Sequence, residues 1–491
     1  MRRKRWPAVS SLGTAFLFFA AACTDRETTA PSRTTAAPAL QAARAPGGGG
    51  GGNERRHVVT LIGTEGSDFD AAVAGVGGTV DRRHTDIGVV TVRGLTAAGA
   101  EALAARPDVA SVDADITLQW IPQPGQLFRQ ATAIDEQAAP PSALGTDQSR
   151  AFFFSIQWNM QVIQAPAAWV ATPAGSGRLV CVLDTGVDPG HVDLAGRVAL
   201  DKSISFVEAE PDIQDLNAHG TFVSSLISSN GRGMASVASD ARLCAIKVLA
   251  QDGSGTFDDV ISGILFAADE GADVINMSLG ARIDLRQKGA RGLVHVLQMA
   301  VDAATRKGVV VVVAAGNEAV NLDKDPGFML EIPAQLDGVI SVGATGPINQ
   351  QNFDGLASYS NFGGRSGIAL VAPGGDFGDL FNEPVIDLVL GACSRTQTVL
   401  PTADCTGGRS FLFGDGTSFA SPHVAGAAAV VESRLGAAPS GQVERVTGCI
   451  LAGADDVGPE RIFGAGRLNV ATGAACPGSP DHNKARVAGR K

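Results

Sequence analysis

Between residues 179 and 342 the chain repeats one pattern: a short, near-continuous apolar run, a glycine-bearing or polar break, then a longer stretch with helical spacing. The apolar runs are 179–183, 242–249, 274–277, 309–314 and 339–342, and helical patterns such as 257–270 and 294–307 separate them. Strands that are apolar on every residue are buried on both faces. Their alternation with helices predicts an α/β fold with a doubly wound, mainly parallel sheet. Upstream the pattern changes: 57–62 reads as a strand, 67–77 as a helix, 87–92 as a strand, 96–105 as a helix and 109–113 as a last strand. That is a small α+β unit. Residues 24–56 are Thr/Ala/Pro-rich and end near six glycines, 47–52, so they bury too little apolar surface to order themselves and read as a tether. Residues 121–150 are Pro/Gln/Ala-rich without periodicity and read as a linker, and 477–491 as a polar tail.

With 491 residues the chain is too long for one ordinary domain. Hydrophobic residues make up 45% and aromatics only 5%, and 61 glycines fit helices packed closely on a sheet. Residues 1–56 carry a net +6 and the remainder −17, so the body is acidic, which argues against a nucleic-acid surface. The basic start, Arg2-Arg3-Lys4-Arg5, precedes an apolar run at 12–22 that is too short to span a bilayer, and Cys23 follows three alanines. Residues 1–23 therefore read as an export signal.

Three separated motifs supply what a serine hydroxyl needs to act as a nucleophile. Val182-Leu183-Asp184-Thr185-Gly186 puts a carboxylate at the end of an apolar strand, where ligand chemistry gathers in an open α/β sheet. Asn217-Ala218-His219-Gly220-Thr221 puts an imidazole at the start of an apolar helical run, and Gly416-Thr417-Ser418 leads a hydroxyl into another. A serine at its free pKa is a poor nucleophile; a base must take its proton and an anion must orient that base. The order Asp184, His219, Ser418, with these flanks and Ser421-Pro422-His423-Val424-Ala425-Gly426 beyond, resembles the subtilisin-like serine peptidases over roughly residues 155–470. One departure is Phe222, where many members of that family carry a second, non-catalytic histidine.

The resemblance implies roles for further residues. Asn317, at the end of Val313-Ala314-Ala315-Gly316-Asn317, would donate its amide to the oxyanion of a tetrahedral intermediate, with the Ser418 backbone N–H as second donor. Ser254 and Gly255 on one side, and Ser278, Leu279 and Gly280 on the other, would hold substrate backbone as an added strand. Glu331 falls at the base of the pocket for the side chain beside the cut bond, so basic substrates should be favoured; the alternative is that Glu331 turns away to water or pairs with a local arginine. Residues 57–120 resemble an inhibitor-type prodomain, 121–150 would hold the maturation site, and 151–476 would be the catalytic domain. Asp193 matches a calcium ligand of the family, but the loop at 228–239 that supplies most other ligands is about two residues short. Cys23 is the acylation position of a lipoprotein-type signal, although Ala20 stands where leucine is usual, and ordinary signal cleavage is the alternative.

In an exported protein Cys393 with Cys405, and Cys449 with Cys476, read as disulfides, whereas Cys181 and Cys244 lie inside apolar strands and read as small buried hydrophobes. No cofactor is required for the expected catalysis. The expected partners are polypeptide substrates and the chain's own prodomain, with no nucleic acid and a monomeric state. Two other readings are a binding protein on an inactive scaffold, which the intact triad disfavours, and an acyl transferase that uses the same acyl-enzyme with an amine acceptor.

Overall fold

The computed structural model describes residues 56–133, 147–171, 174–365, 367–377, 385–436 and 441–476, all within one compact unit spanning Pro38–Lys491. The expected export signal with Cys23, the expected tether to residue 55 and the expected polar tail lie outside the described residues. Among those described, no helix is long and apolar enough to cross a membrane.

Seven strands form the central sheet in the order Leu370–Pro373, Val339–Thr345, Val310–Ala314, Val274–Met277, Leu179–Asp184, Arg242–Lys247 and Ile204–Ser205, each parallel to its neighbour. The two-residue period of a strand sorts its side chains between two cores. Val180, Val182, Val310, Val312 and Val342 pack with the helices His219–Ile227 and Thr417–Leu435. Leu183, Ile275, Met277, Val311 and Val313 pack with Phe257–Asp269 and Ala290–Arg306 on the opposite face. The doubly wound parallel sheet is as expected. The last of these helices begins four residues before the expected 294; Gly292 hides that first turn from the hydrophobic pattern, and a Cβ there would overlap the Asp113 carboxylate.

The N-terminal domain has a four-stranded antiparallel sheet in the order Thr79–His84, Val89–Arg93, His57–Leu61, Val109–Ala114, with the helices Phe69–Gly75 and Ala97–Ala104. The strand Thr79–His84 was not expected, because Asp81-Arg82-Arg83-His84 is too polar to read as one. Its charges are spent across an interface. Val58, Ile87 and Val89 join the apolar core of Phe257–Asp269 and Ala290–Arg306. Beside them, the N-terminus of Phe257–Asp269 offers Asp258 and Asp259, where a helix dipole favours carboxylates. Arg82 donates to Asp258 at 2.7 Å and to Asp259 at 2.8 Å, His84 Nε2 lies 3.2 Å from Asp258, and the Thr91 hydroxyl donates to Asp258 as well.

The expected linker is also structured at its start. Thr117–Gln119 pairs antiparallel with Ser254–Thr256, Pro124–Leu127 makes one helical turn, and Phe128–Ala133 adds a third strand to the antiparallel pair Val389–Ala392 and Ser410–Gly414. Gln148 is buried, its amide donating to Ser229 O and accepting from Ser236 N–H. Pairing with distant strands orders these residues, so no local period announces them.

Two interface carboxyls are driven in opposite directions. Burial, then repulsion from Asp258, raises Asp115 to about 7 despite Arg56 nearby. Burial also pushes Asp258 up, but the His84 hydrogen bond and the Arg82 charge outweigh it and bring the group to about 2. Asp115 therefore favours the docked state below the ordinary carboxylate value and loses that contribution as pH rises to about 7; Asp258 contributes above the ordinary carboxylate value and loses that contribution only as pH falls toward about 2. In a Ser418→Ala background that cannot cut itself, thermal stability should fall between pH 5 and 8 by less in Asp115→Asn than in the parent. Equal falls would mean that Asp115 does not titrate at this interface.

Candidate active site

Asp184 is the last residue of the strand Leu179–Asp184, and its neighbour Thr185 donates its N–H back to Asp184 Oδ1 at 2.7 Å. His219 opens the helix His219–Ile227, and its Nδ1–H donates to Asp184 Oδ1 at 2.8 Å and Oδ2 at 3.0 Å. Both groups are buried. This close approach depends on Gly220, because a Cβ there would stand 2.1 Å from Gly186 O and 3.2 Å from the Asp184 side chain. The preceding Ala218 has φ 90°, a left-handed backbone that costs a non-glycine residue about 1–2 kcal/mol.

Asp215 holds that strained entry, and the sequence reading missed it. Its fully buried carboxylate accepts the N–H groups of Asn217, Ala218 and Thr221 and the hydroxyls of Thr185 and Thr221. Thr185 Oγ1 in turn accepts the Gly220 N–H at 3.0 Å. One anion thus satisfies the orphan donors at the helix start and ties the Asp184 turn to the His219 turn. An aspartate four residues ahead of a histidine that opens an apolar helix was the available signal.

Ser418 lies in the first turn of Thr417–Leu435 and is 3% exposed. Pro422 has no N–H to give to the carbonyl four residues back, so Ser418 O is left without its helical donor. The Ser278 hydroxyl fills that place at 2.7 Å, and Ser278 O accepts the Ser418 Oγ–H at 3.1 Å. Ser418 is thereby held on the Ser278 strand end, while His219 Nε2, 0% exposed as a residue, has no hydrogen-bond partner among the described residues. The His219 ring lies 5.7 Å from that of Phe419, the residue after Ser418. The serine must turn from Ser278 O to meet Nε2, a tightening common when a catalytic site fills. A second histidine, His423, is not a rival base: burial holds it down to about 4, and its Nδ1 lies 2.7 Å from Phe419 O.

Asn317 follows the strand Val310–Ala314, and its Oδ1 accepts both the N–H and the hydroxyl of Thr417 at 2.9 Å. That fixes the amide and points Nδ2 the other way. A Cβ built on Gly416 would lie 3.6 Å from Leu127 Cδ2, 3.7 Å from Ser418 N and 3.8 Å from Asn317 Nδ2, so both expected oxyanion donors converge beside Gly416, with the Leu127 side chain against the same position. Asn361, also missed, braces the turn from Ala315 to Val320 through its amide.

The two expected substrate strands hold part of this same chain. Ser254 and Gly255 pair with Gln119 and Leu118, and Gly280 N–H donates to Trp120 O at 2.8 Å. Trp120 N–H donates to Gly253 O at 3.1 Å, and its indole donates to Gly255 O at 2.9 Å against Phe257. Beyond it the chain crosses to Leu127, whose carbonyl accepts the Asp415 N–H, and Phe128 rests 5.4 Å from the Phe222 ring. Leu279 is buried behind this strand. Glu331, in Met329–Ile332, lies opposite Arg282 and is 1% exposed.

Asp193 does not fit calcium. Its buried carboxylate accepts the N–H groups of Arg232, Gly233 and Met234, so amide hydrogens point where a cation would sit. The short loop closes on the carboxylate itself. Cys393–Cys405 and Cys449–Cys476 are joined as expected, with Cα separations of 5.7 and 4.9 Å. Cys181 and Cys244 are buried as expected. They are register partners in neighbouring parallel strands with Cα atoms 4.5 Å apart, which neither strand's own pattern could reveal.

A model of the subtilase family matches residues 175–466. The chain is 36% identical over 286 residues to a thermophilic serine proteinase of Bacillus sp. (strain AK1), covering 58% of this chain and 59% of that protein. It is 33% identical over 317 residues to subtilisin BL of Lederbergia lenta, covering 64% and 97%. The fold is similar to the epidermin leader peptide processing serine protease of Staphylococcus aureus, with a TM-score of 0.68 at 23% identity over 88% of this chain and all of that one. Fold, motifs and matched span agree: the chain belongs to the subtilase family of subtilisin-like serine peptidases.

Proposed function

We propose that this chain is an exported serine endopeptidase that cuts its own N-terminal domain away and then hydrolyses other polypeptides. The observation that carries the reading is the Asp184–His219 pair at 2.8 Å, with Nε2 free beside the helix turn that bears Ser418. In the reaction, Ser418 Oγ attacks the substrate carbonyl while its proton passes to His219 Nε2. Asp184 holds the ring and stabilises the imidazolium, and Asn317 Nδ2 with the Ser418 N–H takes the oxyanion. Collapse breaks the C–N bond, and the Nε2 proton leaves on the amine. Water then gives its proton to Nε2 and attacks the acyl carbon, releasing the carboxylate and restoring the Ser418 hydroxyl. No cofactor enters any step.

Self-maturation is supported by the seating of residues 117–120 between the two substrate strands, with the domain 56–116 docked on the neighbouring helices. The product of a cut downstream would still block the cleft until the domain leaves. Export rests on the N-terminal address; whether Cys23 is acylated or the signal is simply removed is read from the mature N-terminus by mass spectrometry.

Ser418→Ala, expressed as the full chain, should stay uncut after purification, whereas the wild type loses its first 120 or more residues. Normal trimming of pure Ser418→Ala protein would rule out self-cleavage. Asn317→Ala should mature slowly and, once mature, lose on the order of 10²–10³ in kcat with KM little changed, the magnitude known for an asparagine donor in a subtilisin. A loss confined to KM would assign Asn317 to substrate binding instead.

A further inference from the structure

Beside Ser418 two stretches of backbone stand side by side without side chains at the positions that face each other. One follows Ser278, whose carbonyl accepts the Ser418 hydroxyl, and reaches Gly280; the other runs from Ala314 through Gly316 to Asn317. A Cβ on Gly280 would lie 3.1 Å from Glu331 Oε1, and one on Gly316 would meet Asn361 Nδ2 at 2.3 Å, Glu318 Oε2 at 2.7 Å and Glu331 Oε1 at 3.0 Å. The slot between these walls therefore closes on a carboxyl group, not on an apolar side chain. Glu331 is 1% exposed, and its Oε2 has no hydrogen-bond partner among the described residues. The cation opposite it in the register, Arg282, is already committed to Asp325 through two bonds of 3.0 and 3.1 Å. The remaining charged groups facing it, Glu318 and Asp325, are acidic. An unpaired buried carboxylate is costly, and nothing on its own strand or its neighbours repays it.

We infer that Glu331 is the charged floor of the pocket for the substrate side chain on the acyl side of the cut bond, and that it selects lysine or arginine there. The inference rests on the peptidase reading above and adds its substrate class. Burial first, and the charges of Glu318 and Asp325 next, raise the Glu331 carboxyl well above the usual range, with Arg282 opposing them. At rest, burial favours the protonated form of this carboxyl. An ammonium or guanidinium ion entering the slot supplies the missing partner, and the carboxyl releases one proton to solvent as the ion pair forms. Selection for a basic side chain is thus linked to pH: it strengthens as pH rises, because the proton to be released is held less strongly. A neutral side chain of the same shape carries no such linkage.

The test compares two peptides that differ only in arginine or citrulline at that position, cut by the matured full-length product between pH 6 and 9. Fluorophosphonate labelling of Ser418 counts competent active sites. The wild type should prefer arginine by about tenfold or more in kcat/KM at the alkaline end, with the ratio shrinking toward acid. In Glu331→Gln the ratio should fall to within about twofold and lose its pH dependence. A wild-type ratio near one at every pH, or a preference that Glu331→Gln retains, overturns the assignment while leaving a labelled peptidase intact. Should the variant not fold, the wild-type ratio and its pH slope still decide. Absence of labelling in the wild type would instead overturn the peptidase reading on which the inference rests.

Discussion

A sheet buried on both faces leaves its polar chemistry one place to go, the carboxyl ends of its strands, and the arrangement at the centre of this molecule follows from that constraint. Asp184, Ser278 and Asn317 each lie at or just past the end of a neighbouring parallel strand. The strand spacing sets them side by side, and two helices, His219–Ile227 and Thr417–Leu435, bring His219 and Ser418 to the same edge. The Asp184 carboxylate, the Ser418 hydroxyl and the Asn317 amide oxygen each have a stated partner. His219 Nε2 has no hydrogen-bond partner among the described residues, and two amide donors converge beside Gly416.

That edge is held by anions and by gaps. Asp215 collects three backbone N–H groups and two hydroxyls, which stabilises the left-handed Ala218 and keeps the His219 turn against the Asp184 turn. Asp193 does the same for the loop at Arg232–Met234, where three amides take the place of a metal. Pro422 withholds one helical donor, and the Ser278 hydroxyl replaces it, so a missing N–H couples the helix that bears Ser418 to the end of the strand Val274–Met277. In each case a buried polar group is satisfied by a specific neighbour, as burial requires.

The same edge is closed by the chain's own upstream segment. Residues 117–120 occupy the position of an extended peptide, and the turn Pro124–Leu127 carries the chain past Ser418 to the strand Phe128–Ala133. Main-chain pairing of this kind is indifferent to side-chain identity. Docking of the N-terminal domain adds a buried charge cluster in which Asp115 and Asp258 respond to pH in opposite senses.

The parallel sheet was legible because runs such as Val309-Val310-Val311-Val312-Val313 are apolar on every residue, which only two-sided burial explains. Asp184, His219, Ser418 and Asn317 were legible because each ends or begins such an element within a short motif. What could not be read locally was everything that depends on partners far along the chain. Thr79–His84 is a strand because its charges meet Asp258 and Asp259, and Phe128–Ala133 is one because Ser410–Gly414 lies beside it. Cys181 and Cys244 meet through register between two strands, and Asp193 turns to amides because a loop closes on it. Sequence by itself determined the elements and the reactive groups, since hydrophobic period and residue type are local properties. Only the tertiary structure decided which of those groups are paired and which stand open, because hydrogen bonds and burial are settled between elements, not within them.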